Sequence, residues 1–197
     1  AVDGARLPRP LAGGVSASLN GSLYCFGGSD GVTPSADVLR LTVSGKSVKV
    51  ETVASLPEGF TPAAAAPYSG KIYVHGAAGQ ENALYAYNPS NNAWTSLAAC
   101  PSRVISEGAC LIQKHNGREN AMYLIGGRGT DETGLHIATN VWEYLPTHNE
   151  WNKKAAFVSE GEPVNLMYSS AVAYGSGHIL VFGGDDGVEF IKRMELE

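Results

Sequence analysis

Four apolar, β-prone runs recur along this chain, and each stops at two small residues. They are Ser22-Leu-Tyr-Cys-Phe-Gly-Gly28, Lys71-Ile-Tyr-Val-His-Gly-Ala77, Ala121-Met-Tyr-Leu-Ile-Gly-Gly127 and His178-Ile-Leu-Val-Phe-Gly-Gly184. The last small residue falls at 28, 77, 127 and 184. A period of about fifty residues marks stacked supersecondary units rather than one folded-over core. Buried strands take aromatic and β-branched residues, and a residue free to adopt positive φ lets the chain turn out at their ends. Between these runs the pattern alternates. Val48, Val50 and Thr52 against Lys49 and Glu51 read as an outer strand wet on one side. Small residues, as in Val15-Ser-Ala-Ser-Leu19, read as an inner strand beside a crowded axis.

Taken in order, the pattern predicts strands at Gly14–Leu19, Ser22–Phe26, Ala36–Val43 and Val48–Val53. It then predicts Pro62–Tyr68, Lys71–Gly76, Ala83–Tyr87 and Ala93–Leu97. A third set is Gly108–Gln113, Ala121–Ile125, Asn140–Tyr144 and Glu150–Ala155. A fourth is partial: Met167–Tyr174, His178–Phe182 and Glu189–Glu195. Asn20-Gly21 and Ser69-Gly70 are hairpin signals. Arg128–Thr139 reads as a long connecting loop and His115–Asn120 as an exposed turn.

A second repeat reinforces the first. Tyr87-Asn-Pro-Ser-Asn-Asn-Ala-Trp94 and Tyr144-Leu-Pro-Thr-His-Asn-Glu-Trp151 have equal length and the same ends. Each reads as a strand end, a Pro/Asn turn and a strand opening on Trp. Apolar run, Gly-Gly, aromatic, turn and Trp within about fifty residues resembles the Kelch repeat. Two units match fully and two in part. The fold class is therefore all-β, a Kelch-type β-propeller with three four-stranded blades and part of a fourth. The expected blades are 7–57, 58–101, 102–158 and an incomplete 163–197, within one segment 1–197. Trp94 and Trp151 are expected to be largely buried blade core. Closed propellers have at least four blades, so the rest of the ring is expected from a further segment or another chain.

Composition narrows the function classes. The chain has 197 residues, 44% apolar and 17% charged, with 24 glycines, as short strands and turns require. A net charge of −5 without a basic stripe argues against nucleic acid. No apolar run reaches membrane-spanning length. No signal peptide is visible and the first residue is not Met; a processed or trimmed N-terminus accounts for both. Cys25, Cys100 and Cys110 read as small buried apolar residues, although a Cys100–Cys110 bridge is open. No metal-ligand spacing, phosphate loop or nucleophile elbow occurs.

Five strings carry a more specific resemblance. They are Pro10-Leu-Ala-Gly-Gly-Val-Ser-Ala, Asp37-Val-Leu-Arg-Leu-Thr, and Leu56-Pro-Glu-Gly-Phe before Ala63-Ala-Ala-Ala. The others are Tyr68-Ser-Gly-Lys-Ile-Tyr-Val and His178-Ile-Leu-Val-Phe-Gly-Gly-Asp-Asp-Gly187. Together they resemble the cyclically permuted mutarotase family, relatives of the Kelch-type N-acetylneuraminate epimerases (sialic acid mutarotases). The resemblance implies a six-bladed propeller, a sugar isomerase acting on the anomeric centre of sialic acid, no cofactor, and a periplasmic or secreted location. It also implies a catalytic Gly-Glu-x-x-Pro-Gly-x-Arg-Thr element. This sequence lacks it; Gly161-Glu162-Pro163 is the nearest string, without the spacing or the Arg. The catalytic residues are therefore unknown. The alternative is a non-catalytic Kelch protein-interaction module.

Mutarotation needs a base for the anomeric hydroxyl and an acid for the ring oxygen, exchanging roles on closure. The sialic acid carboxylate calls for a cation, best an Arg with its bidentate fork. In a blade, the turns after the second strand and before the first lie at one end. That end collects Asp30, Gln80, Arg128, Asp185 and Asp186, with Arg103 before the third inner strand. Arg103 is the first candidate for the substrate carboxylate and Arg128 the second. Asp185 is a third site candidate, although Asp-Asp-Gly is also ordinary turn chemistry. His75 reads as a packed strand-end histidine, and His115, His136 and His148 as exposed loop residues. Metal ligands are not expected.

Overall fold

A computed structural model describes residues 6–58, 60–78, 81–102, 108–114, 119–131, 134–156, 158–159, 161–175, 177–185 and 194–196. Among these residues there is no helix, and every pairing is antiparallel. No helix is therefore long and apolar enough to cross a membrane.

The first sheet runs β1 (Val15–Leu19), β2 (Ser22–Phe26), β3 (Val38–Ser44) and β4 (Ser47–Thr52), in that order across the sheet. Asn20 and Gly21 sit at φ 51° and 74°, as a two-residue hairpin turn matched to strand twist requires. The second sheet is β5 (Phe60–Tyr68), β6 (Lys71–Ala78), β7 (Glu81–Asn88) and β8 (Ala93–Leu97), again in chain order. In the third, β9 (Ala109–Gln113) and β10 (Ala121–Ile125) are followed by a separate two-stranded ribbon, β11 (Arg128–Asp131) and β12 (Gly134–Ile137). The sheet then resumes with β13 (Asn140–Leu145) and β14 (Glu150–Ala156). A second ribbon, β15 (Val158–Ser159) and β16 (Glu162–Pro163), precedes the fourth sheet, β17 (Ser170–Tyr174), β18 (His178–Phe182) and β19 (Met194–Leu196).

The chain divides into two compact units, Ala1–Leu97 and Ala98–Glu197. In the first, β1 lies beside β5, and the two sheets bury Phe26, Val38, Ile72, Val74 and Tyr87 between them. In the second, β9 lies beside β17, and Tyr123, Ile125, Leu166, Ile179 and Val181 form the core. The small-residue strands are thus the edge strands that meet, which lets neighbouring sheets approach closely there.

Two details differ from the sequence expectation. Gly27–Gly28, Gly126–Gly127 and Gly183–Gly184 all take positive φ, the second residue of each pair near 100° or above (102° at Gly28, 99° at Gly127, 114° at Gly184). That backbone is costly with a Cβ. The second sheet has Ala77 in the second place, and there β6 does not turn out. It stays extended and remains paired with β7 out to Ala78 and Glu81, so both strands outrun the expected Gly76 and Ala83 limits. The expected loop after Gly127 is the β11–β12 ribbon, with Arg128 opposite Ile137.

The Tyr-to-Trp repeat forms one clamp used twice. Asn92, at φ 53°, accepts hydrogen bonds through Oδ1 from the Ala54 N–H and the Tyr87 hydroxyl, both at 2.8 Å. Trp94 Nε1 donates to the Ala54 carbonyl at 3.2 Å. In the second unit, Asn149, at φ 55°, accepts from the Ala98 N–H and the Tyr144 hydroxyl, and Trp151 Nε1 donates to the Ala98 carbonyl. Both Trp side chains are largely covered, and Trp94 packs against the core of its unit, on Phe26, Tyr85 and Tyr87.

Candidate ligand-binding site

The second unit brings two of the sequence-predicted site residues to one end of its sheets. Arg128 opens β11 directly after Gly126–Gly127, and Asp185 follows Gly183–Gly184. Both are half-buried. The segment that leads into β17 ties these ends together. Leu166, fully buried, accepts a hydrogen bond from the Gly127 N–H. Met167 and Asp185 exchange both backbone hydrogen bonds, at 3.0 and 2.9 Å. Tyr168 therefore stands between the Arg128 and Asp185 loops.

Tyr168 was not singled out from the sequence. The residue is 55% exposed, and the Arg128 guanidinium lies over its ring, 5.8 Å from the centroid. A cation in that position is held by the ring quadrupole, so the pair presents a positive planar group backed by an aromatic face.

The other candidates are placed differently. Arg103, Gln80, Asp186 and His115 lie outside the described residues. Asp30 is in the first unit, where its carboxylate accepts the Val32 and Thr33 N–H groups. Those backbone bonds, Thr33 foremost, hold its carboxyl below the usual range, and the residue builds its own turn. His75 is 3% exposed in β6, and burial pushes its imidazole down to about 4. His148 is exposed and lies 3.5 Å from Glu119. His136 pairs through its backbone with Gly129. Glu162, in the string nearest the missing catalytic element, is exposed on the β15–β16 ribbon. The three cysteines are free, so the open Cys100–Cys110 bridge is not formed. Burial pushes the Cys100 and Cys110 thiols up to about 12, which removes them as nucleophiles near neutral pH. One buried carboxylate, Glu143, accepts from the Tyr123 hydroxyl at 3.0 Å and pairs with Lys154 at 2.5 Å. It joins β10, β13 and β14 and serves the sheet rather than the loop end.

No protein-family profile matches the chain. By sequence it is similar to Kelch-like protein 35 of Mus musculus, 26% identical over 173 residues, which is 86% of this chain and 26% of that protein. It is similar to Kelch domain-containing protein 10 of Homo sapiens, 27% identical over 94% of this chain and 42% of that protein. Spermatocyte protein spe-26 of Caenorhabditis elegans is 26% identical over 93% of this chain and 31% of that protein. The chain spans less than half the length of each of these relatives. Among solved structures it is similar to that of YjhT, with a TM-score of 0.69 and 19% identity over 96% of this chain and 67% of the other. At that identity the likeness concerns the fold. Repeat, sheets and comparisons agree on a Kelch-type β-propeller fold, and two of these sequence relatives are named as Kelch proteins.

Proposed function

We propose that this chain forms the carboxylate-binding portion of a sugar mutarotase that acts on sialic acid. The observation that carries the reading is the Arg128 guanidinium set over the exposed Tyr168 ring, with Asp185 on the adjoining loop. The five family-like strings support it. In this reading Arg128, together with Arg103, binds the substrate carboxylate, and Asp185 accepts from a sugar hydroxyl. A further segment, in cis or in trans, completes a six-bladed ring and brings the Glu and Arg of the catalytic element. These exchange protons with the anomeric hydroxyl and the ring oxygen, and the chain's own part is to hold the sugar in one orientation while the ring opens and recloses. The protein then works in the periplasm or outside the cell.

The test is titration of N-acetylneuraminate and of its methyl ester into the chain, followed by ligand-observed NMR. Binding of the acid, loss with the uncharged ester, and weakening by about 1.5–3 kcal/mol in Arg128→Ala are expected for one charge-assisted contact. An Arg128→Ala protein that binds the acid unchanged moves the role to Arg103.

A second reading has its own support. The absence of a Gly-Glu-x-x-Pro-Gly-x-Arg string and the similarity to Kelch-repeat proteins favour a non-catalytic protein-interaction module. A chain that binds no acidic sugar decides for that reading.

A further inference from the structure

The repeat sets equivalent residues on one face of the first, third and fourth sheets. The residue before the first glycine of each Gly-Gly pair is Phe26, Ile125 and Phe182. Two residues earlier stand Tyr24, Tyr123 and Leu180. Their partners on the inner strand are Ala17, Leu111 and Val172, in the same register. Every second side chain of a strand shares a face, so each trio forms one apolar patch.

In the first and third sheets a neighbouring sheet lies on that patch. Phe26 is 0% exposed, against Ile72, Val74 and the Tyr87 and Trp94 rings of the second sheet. Ile125 is likewise 0% exposed, against Leu166, Ile179 and Val181. In the fourth sheet Phe182 is 45% exposed. The inner-strand partners give the same contrast: Ala17 and Leu111 are 8% exposed, Val172 48%. Tyr174, on the same face of β17, is exposed beside them. The opposite face of this sheet holds Ile179 and Val181 in the core of its unit. The fourth sheet thus turns to water a face that is buried in its equivalents, and neither β17 nor β18 carries a Lys, Arg, Asp or Glu. An exposed apolar patch of this kind marks an association surface.

The chain also holds the complement. Phe26 is covered by the other face of a sheet, at Ile72, Val74 and Tyr87. By register, Leu23, Cys25 and Leu41 are the same positions in the first sheet. There Leu23 is exposed, Cys25 and Leu41 are half-buried, and Val43 on the same face is exposed. No residue on this face of β1 to β4 is charged.

We infer that the fourth-sheet face of one chain seats on the first-sheet face of a second copy of this chain, as the first sheet seats on the second within it. Phe182 then takes the place of Phe26, and Leu23, Cys25 and Leu41 take the places of Ile72, Val74 and Tyr87. A joint between two different faces is heterologous, so two copies joined once keep one free face of each kind. The inference does not rest on the sugar reading. The segment that completes the ring in that reading takes the same two faces, so the joint belongs to the chain without it.

The test is sedimentation velocity and native mass spectrometry of the chain over a range of concentrations, with Phe182→Lys and Leu23→Lys. Circular dichroism checks that each variant folds; Val172→Lys and Val43→Lys, on the same two faces, replace one that does not. The parent is expected to gain mass with concentration. Each variant alone is expected to associate at least about a hundredfold more weakly, the scale for an unpaired charge buried at a joint. An equimolar mixture of the two variants, one isotope-labelled, is expected to restore a heterodimer and nothing larger. In it the intact fourth-sheet face of the Leu23→Lys chain meets the intact first-sheet face of the Phe182→Lys chain. A parent that stays monomeric at every concentration leaves these faces to a sheet of another sequence and overturns the inference. Association that survives in one variant alone means a face that pairs with itself, and survival in both means another surface. Either result overturns the inference, as does a mixture without heterodimer.

Discussion

Replacing Asn92 by Ala removes the acceptor at the centre of the first clamp. Two bonds are lost, each 2.8 Å long. The Tyr87 side chain is only 1% exposed, so its hydroxyl is left without its acceptor in a buried setting, at about 1–3 kcal/mol. The Ala54 N–H lies near solvent and regains most of its bond from water. Ala must also hold φ near 53°, which costs about 1 kcal/mol for a residue with a Cβ. The sum is about 2–4 kcal/mol. Asn92→Gly separates the two causes, because it loses the acceptor and keeps the backbone easy; it should cost about 1 kcal/mol less than Asn92→Ala. In a Tyr87→Phe background the Asn92→Gly loss should shrink, since no hydroxyl is left unpaired. Urea unfolding followed by circular dichroism measures the parent and the four variants. Equal losses for Ala and Gly, or a total below about 0.5 kcal/mol, the level of an ordinary surface change, would refute the clamp as described.

Asn149→Ala in the second unit should lose a similar amount, because its bonds to Ala98 and Tyr144 are the same; a loss less than half as large breaks the equivalence. His75 is held neutral, with its imidazole near 4 against an ordinary 6.5. Between those values the unfolded chain binds the extra proton, so stability is full above pH 6.5 and falls as pH drops toward 4. By linkage the loss at pH 4.5 relative to pH 7 is about 2–3 kcal/mol, and His75→Asn should flatten that slope in urea titrations at the two pH values. Cys100, buried and with its thiol pushed up to about 12, should resist iodoacetamide at pH 7.5 until the chain is unfolded, as mass spectrometry of the labelled protein will report; its labelling in the folded protein contradicts that burial.

Much of the fold was legible because strands, turns and the clamp are written locally. Asn20-Gly21 predicts its hairpin, and the Tyr-to-Trp spacing predicts where the last two strands of a sheet begin. What escaped depends on single atoms. The second sheet carries Gly76-Ala77 where the others carry Gly-Gly, and there β6 stays extended and paired on both sides. Arg128–Thr139 is polar and lacks alternation, so nothing in its pattern announces a ribbon. The candidate site was legible in part. Arg128 and Asp185 follow from the Gly-Gly markers, whereas Tyr168 reads as an ordinary strand lead-in.

Anomer exchange of N-acetylneuraminate, followed by NMR, tests the central claim most directly. The samples are this chain, the protein completed by a segment bearing the Glu and Arg element, and the completed protein with Arg128→Ala. The account predicts exchange at the uncatalysed rate with this chain, catalysed exchange with the completed protein, and a rate at low substrate reduced about 10- to 100-fold by Arg128→Ala, the kinetic equivalent of one lost charge-assisted contact. Catalysed exchange by this chain alone, or a completed protein indifferent to Arg128→Ala, would contradict it.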